Sequence, residues 1–220
     1  MACKKGKRMS SHHSNTNEEE RKSVKLRRRF FQEDTTKNIS IESQKRKYKF
    51  IVMKMTFDQG IEAIKAIKEI IKDDEFLAKV EIRNLKLDID SEEFIRLYNR
   101  AFITAPDPYR SLTYKDVTLF NEDSTFITKI HGRLVGFIFL VLEPLIKNGK
   151  EIGRQGVIAG IGVDPRYRRR KIALLLAARA AEYFVQNSVD ELVCEVYEEN
   201  KVSIDFIRSV GFQATGEIYL

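Results

Sequence analysis

The sequence predicts a mixed α/β domain behind a basic, disordered N-terminal tail, and three observations carry that prediction. Charge and apolar content change together near residue 49. The first 49 of 220 residues hold 15 basic and 6 acidic side chains and only 11 apolar ones, whereas the rest holds 24 basic and 26 acidic. A segment so poor in apolar residues cannot bury enough surface to offset the entropy of ordering it. Beyond it, apolar residues recur with period two in short segments and with period near 3.6 in longer ones. Seven of the eleven glycines fall between Gly132 and Gly162, where the strand patterns are densest.

Residues 1–47 read as tail, with Glu18–Glu20 followed by a basic block at Arg21–Arg29. Such a block binds nucleic acid, an anionic membrane surface or a transport receptor, or is a solvated end with no partner. Residues 48–79 read as a strand–helix extension. Phe50, Ile51, Val52, Met53 and Met55 predict a strand, and Ile61, Ile64, Ile67, Ile70 and Ile71 trace a helical stripe. Residues 80–220 read as the main domain. Val80–Ile89 predicts a second strand, with Ser91 as N-cap of a helix whose face is Phe94, Leu97, Tyr98, Ala101 and Phe102. Pro106 and Pro108 end that helix, and a short helix is expected after Thr113. Thr125–Ile130 and Leu134–Leu142 form a hairpin through His131-Gly132-Arg133, Lys147–Arg154 is a polar connection, and Gly156–Val163 is a buried strand. A helix over roughly 168–186, a strand at Glu191–Tyr197, a helix over roughly 201–210 and a strand at Phe212–Tyr219 complete the chain.

Composition narrows the function. The net charge of +7 resides in the tail, so the domain is not a uniformly basic nucleic-acid coat. The longest apolar run, Leu134–Leu142, is far short of a membrane span, and no apolar segment of the secretory kind follows the start. Two cysteines, Cys3 and Cys194, form no disulfide framework and point to a reducing, cytoplasmic location. With three histidines, two of them in the tail, no His-based metal site is expected.

One cluster carries chemistry. Strand 156–163, helix 168–186 and strand 191–197 form a right-handed crossover, which sets the helix N-terminus just past the end of the first strand. Free backbone N–H groups there attract anions. Arg166, Arg168, Arg169, Arg170 and Lys171 crowd the same point. The helix dipole disfavours cations there by about 0.3–1 kcal/mol each, and a bound polyphosphate would compensate. The competing readings are a nucleic-acid ligand and an exposed basic patch.

Residues 163–173, Val-Asp-Pro-Arg-Tyr-Arg-Arg-Arg-Lys-Ile-Ala, resemble the signature of the GNAT superfamily of N-acetyltransferases. Asn200 to Gly211-Phe212 resembles the family's second motif, 37 residues beyond Val163, and the resemblance covers about residues 80–220. It implies a mostly antiparallel, twisted sheet flanked by helices, with acetyl-CoA as donor and no metal. It places the backbone of Arg168, Arg169, Arg170, Lys171, Ile172, Ala173 and Leu174 around the pyrophosphate. Ile161, Gly162 and Val163 would pair with the pantetheine arm, Gly160 and Gly162 allowing close approach, and a bulge there would form an oxyanion hole. Asn200 would hold the cofactor where the sheet splays open. Cys194-Glu195-Val196 resembles the ribosomal-protein alanine acetyltransferase branch, which makes Glu195 the general base.

Two positions depart from the pattern. Lys171 stands where the loop has glycine, and Ile207 stands where the family often has a tyrosine that protonates the leaving thiolate. Tyr197 and Tyr219 are the nearest alternative acids by sequence. The family usually adds one more strand after the Gly-Phe strand, and the strand at Lys49–Thr56 is expected to fill the missing edge. By the same resemblance the acceptor enters opposite the cofactor, and Ala105–Arg110 is the candidate lid. Asp107 would attract an amine and Tyr109 would cover it. The expected activity is transfer of an acetyl group from acetyl-CoA to a primary amine on a small molecule, a protein N-terminus or a lysine. The alternative is a non-catalytic acyl-CoA- or nucleic-acid-binding regulatory module. The sequence specifies neither the acceptor nor the oligomeric state.

Overall fold

The computed structural model describes residues 48–219; the expectations for residues 1–47, disorder and a polyanion or anionic-surface partner, lie outside the described residues. One seven-stranded sheet organises the chain. Its strands are β1 (Lys49–Thr56), β2 (Glu81–Asn84), β3 (Thr125–Ile130), β4 (Arg133–Lys147), β5 (Lys150–Val163), β6 (Glu191–Tyr197) and β7 (Gln213–Tyr219). They lie in the order β2-β3-β4-β5-β6-β1-β7, and every pairing is antiparallel except β5 with β6. The helices are α1 (Phe57–Ile71), α2 (Leu87–Ile103), the single turn α3 (Tyr114–Val117), α4 (Ile172–Gln186) and α5 (Lys201–Ser209). None is long and apolar enough to cross a membrane among the described residues.

The first strand is interior, which corrects its expected place at an edge. It pairs with β6 from Phe50↔Tyr197 to Thr56↔Glu191 and with β7 on its other side. Phe50, Met53 and Met55 are accordingly buried. Thr56 then caps α1: its hydroxyl accepts from the Gln59 N–H, and the Gln59 side chain accepts from the Thr56 N–H.

The two sheet faces are covered differently. On one, α1, α4 and α5 bury Met53, Leu176, Phe184, Leu192, Ile204 and Phe212. On the other, α2 and α3 cover β3–β5 with an aromatic cluster. Within it, Phe94 meets Phe120 edge-on at 4.8 Å and Tyr98 stacks on Phe137 at 5.6 Å. Burial there pushes the Tyr98 phenol well above its ordinary pKa.

Three boundaries differ from expectation for identifiable reasons. The second strand ends at Asn84 and α2 begins at Leu87, not after Ser91. Asp90 is the cause: its buried carboxylate accepts the Lys86 N–H at 3.0 Å and both Arg83 guanidinium nitrogens at 2.7 and 2.8 Å, so the first turn closes a few residues early. Ser91 lies inside the helix and donates its hydroxyl to the Leu87 carbonyl. The stretch Lys147–Arg154 is not a connection: β4 and β5 run through it, joined by Asn148-Gly149 with φ of 52° and 73°. Two consecutive positive φ values make the hairpin turn that matches strand twist, and His131-Gly132 (48° and 78°) does the same between β3 and β4. Finally α4 starts at Ile172, so Arg168–Lys171 is a separate loop.

Candidate donor slot and active site

The sheet opens at one point. The parallel ladder between β5 and β6 runs from Gln155↔Glu191 to Ile158↔Cys194 and stops, although both strands continue. On the β4 side the register of β5 shifts between Ile158 and Gly160, so Ala159 is a bulge. A bulge bends its strand, and here it turns β5 away from β6. Beyond the opening, Ile161, Gly162 and Val163 have their β4 partners and no β6 partner in the ladder. Across the gap stand Glu195, Val196 and Tyr197.

The glycines of β5 have a packing reason. A Cβ at Gly160 would lie 2.2 Å from the Phe139 ring, and one at Gly162 would lie 2.5 Å from the Phe137 ring. Close approach is therefore required here by β4's aromatics, a signal the sequence contains in Phe137 and Phe139.

At the mouth of the opening Asp164 anchors the turn into the loop. Fully buried, it accepts the Arg166 N–H at 3.0 Å, the Arg166 guanidinium at 2.8 Å and Arg100 of α2 at 2.6 Å. Burial alone would raise its pKa, but the hydrogen bonds from Arg166 and Arg100 outweigh it and hold the carboxyl well below the usual range. Arg100 was not foreseen, since nothing at sequence level links α2 to this turn.

Two of the remaining cations attach to neighbouring helix ends. Arg168 donates to the Ala101 carbonyl at 2.8 Å and to Thr104 Oγ1 at 2.9 Å. Lys171 donates to the Ile70 carbonyl at 3.2 Å and pairs with Asp74 at 3.0 Å. These carbonyls belong to the last turns of α2 and α1, the negative ends of those helices. Arg170 lies over the Phe76 ring at 4.9 Å. Arg166, Arg168 and Lys171 thus have intramolecular compensation. Arg169 and Lys171 both have positive φ, 62° and 58°. Left-handed residues alternating along a loop turn successive N–H groups inward, and these precede Ile172, Ala173 and Leu174, the first turn of α4. The Lys171 side chain points to α1, away from that concavity.

Asn200 caps α5: its side-chain oxygen accepts the Ser203 N–H at 3.0 Å and its amide donates to Asp107. The lid segment therefore reaches across to the N-terminus of α5. Tyr109 stacks on Phe102 at 6.0 Å, and Arg110 pairs with Asp116 to hold the end of the lid. The structure thus joins Asp107 to Asn200, two residues assigned separately to acceptor and cofactor. Glu195 is buried on the face shared with Val193 and Tyr197, directly opposite Val52 of β1. Tyr197 stands two residues further on, against Phe50 at 5.6 Å. Tyr219 is on β7, with β1 between it and β6, which removes it from the gap.

The sequence pattern of the Acetyltransferase (GNAT) family matches residues 91–212. The chain belongs to that family. It is 25% identical over 150 residues to mycothiol acetyltransferase of Thermobifida fusca (strain YX), covering 63% of this chain and 45% of that protein. It is 29% identical over 106 residues to N-alpha-acetyltransferase 30 of Homo sapiens, covering 48% and 28%. This GNAT chain thus matches less than half the length of either relative. Among solved structures, aminoglycoside N-acetyltransferase AAC(6')-Iy in complex with CoA shares the fold with a TM-score of 0.53 at 22% identity, over 64% of this chain and 92% of that one. The GNAT match begins within α2, so β1 and α1 lie outside it.

Proposed function

We propose that the protein is an acetyl-CoA-dependent N-acetyltransferase acting on a primary amine, of a small molecule, a protein N-terminus or a lysine. The observation that carries this reading is the β5–β6 opening. A phosphate-shaped loop stands at its mouth and a buried carboxylate, Glu195, just beyond its apex. The relatives named mycothiol acetyltransferase and N-alpha-acetyltransferase 30 support the reaction class and leave the acceptor open between small molecules and protein N-termini.

The donor enters as a substrate. The N–H groups of Arg169 to Leu174 receive its pyrophosphate, as the alternating backbone of that loop and the N-terminus of α4 favour. The backbone edge of Ile161–Val163 that β6 leaves outside its ladder receives the pantetheine arm, and the Ala159 bulge is where a backbone N–H leaves the ladder to meet the thioester oxygen. To seat the donor, Asn200 exchanges its bond with Asp107 for the arm, which frees Asp107 and Tyr109 to face the acceptor. Glu195 accepts a proton from the ammonium. The amine nitrogen then bonds to the acyl carbon and the carbon–sulfur bond breaks. Tyr197 is the phenol nearest the gap along the chain, and burial raises its pKa, which keeps it protonated.

Release of free thiol from acetyl-CoA against a panel of amines and N-terminal peptides tests the reading. Turnover with at least one acceptor is expected, and none with any would favour the non-catalytic acyl-CoA-binding alternative. Glu195→Gln should lower kcat by about 10²–10⁴-fold with acetyl-CoA binding unchanged. An unchanged kcat would remove Glu195 from the role of base.

A further inference from the structure

Behind the opening lies an apolar cavity of about 30 Å³. It sits between the sheet, α1, α4 and α5, on the face opposite Glu195. Ile158 and Ile161, which flank the Ala159 bulge, form its wall toward the slot, and Ile207 of α5 adjoins them. Every residue around it is apolar, so a water placed there would find no partner. Small side chains keep it open: Ala177 and Ala181 of α4 on one side, Gly60 of α1 on the other. A Cβ on Gly60 would lie 2.9 Å from Leu192 Cδ1, so α1 packs close against β6 on this side.

We propose that this cavity is an acyl pocket, and that the protein accepts thioester donors one or two carbons longer than acetyl. The proposal rests on the transferase reading above, which puts the reacting carbon in the β5–β6 gap. From there one direction leads to Glu195 and the acceptor, and the other to Ile158, Ile161 and the cavity. Two water-sized volumes fill a space of this size, which matches two extra carbons and excludes a long chain. The occupant must be apolar, since the lining side chains offer neither donor nor acceptor. The transfer balances as for acetyl: the carbon–nitrogen bond forms, the carbon–sulfur bond breaks, CoA leaves as the thiolate, and the ammonium proton passes to Glu195. Five of the seventeen lining residues come from the β1–α1 segment, which the family match does not include.

Calorimetric titration with CoA and with acetyl-, propionyl-, butyryl- and hexanoyl-CoA decides it. Affinity should rise about four-fold per added methylene as far as butyryl and then fall. The specificity constant with any accepted amine should follow the same order. Ala181→Leu fills the cavity and should level the series to within about two-fold, each donor being compared with CoA in the same variant. If that variant does not fold, the series on the unaltered protein still decides. Acetyl-CoA binding tightest, with affinity falling at propionyl, would overturn the pocket while leaving the transferase reading intact. Failure of every thioester and of CoA itself to bind would overturn the transferase reading, and this proposal with it.

Discussion

Strand β6 has two seams that share the same seven residues and behave in opposite ways. Toward β1 it is paired from Glu191 to Tyr197 without a break. Toward β5 it is paired only from Glu191 to Cys194, and the ladder then opens. The complete seam is a source of stability and the broken one leaves backbone groups of β5 and β6 outside the ladder between them. A strand can be opened on one side when its other side is fully paired. The segment that supplies the full pairing, β1, comes from outside the region matched to the family and from the opposite end of the chain from β7.

The most damaging way to test this contrast is to remove the closed seam. A chain beginning at residue 57 lacks β1, exposes the unpaired edges of both β6 and β7, and loses the buried Phe50, Met53 and Met55. It should show no cooperative thermal transition, because losing three such core side chains exceeds the 5–15 kcal/mol or so of a typical domain's stability once the ladder bonds are included. A chain beginning at residue 48 should melt cooperatively. Equal melting behaviour of the two would mean that the sheet does not need β1.

A middle-sized effect is expected at the mouth of the open seam. Asp164→Asn keeps the shape but removes the charge that Arg166 and Arg100 share. The loss should be about 2 kcal/mol, discounted because both arginines reach solvent, and should lower Tm by about 4–8 °C. The native pKa of Asp164 is depressed, so its contribution is fully present above the unfolded-state value of 3.8 and is lost as pH falls below it. The unaltered protein and the variant should therefore differ at pH 7 and converge toward pH 2. A difference that persists in acid would point to packing rather than charge.

The smallest effect concerns Lys171. Its left-handed backbone costs about 1 kcal/mol that glycine does not incur, whereas its solvent-screened pair with Asp74 returns little. Lys171→Gly should leave Tm within about 4 °C of the unaltered protein, and Lys171→Ala, which keeps the strain and loses the pair, should be the less stable of the two. Alanine matching or exceeding glycine in a thermal melt would show that the loop relaxes out of the left-handed region.

Much of the fold was legible because local rules agree with the global structure. The short helix after Thr113, the His131-Gly132 hairpin and the apolar face of α2 all follow from local patterns alone. Asn148-Gly149 carried an equally plain hairpin signal, hidden because the residues around it are polar and the strand ends there are exposed. Ser91 misled because the group that sets the start of α2 is Asp90, whose partners come from Arg83 and from the backbone of Lys86. At the site, the loop at 168–173 and Glu195 stood out as residue types, but their surroundings did not. Arg100 on Asp164, Arg168 on the end of α2 and Asp107 on Asn200 join residues 64 to 93 positions apart, and no local pattern announces such pairs.

By itself the sequence determined most of the strands and helices, the strand–helix–strand crossover and the place of Glu195 within its second strand. These depend on side-chain period, capping and turn chemistry, all of which act within a few residues. Only the tertiary structure decided that β1 lies between β6 and β7, that Arg168 and Lys171 are held by the carboxyl ends of α2 and α1, and that an apolar cavity remains behind Ile158 and Ile161. Strand order, long-range ion pairs and voids arise when elements far apart in the chain compete for one core. Their outcome depends on how whole faces fit, which periodicity along a single segment does not encode.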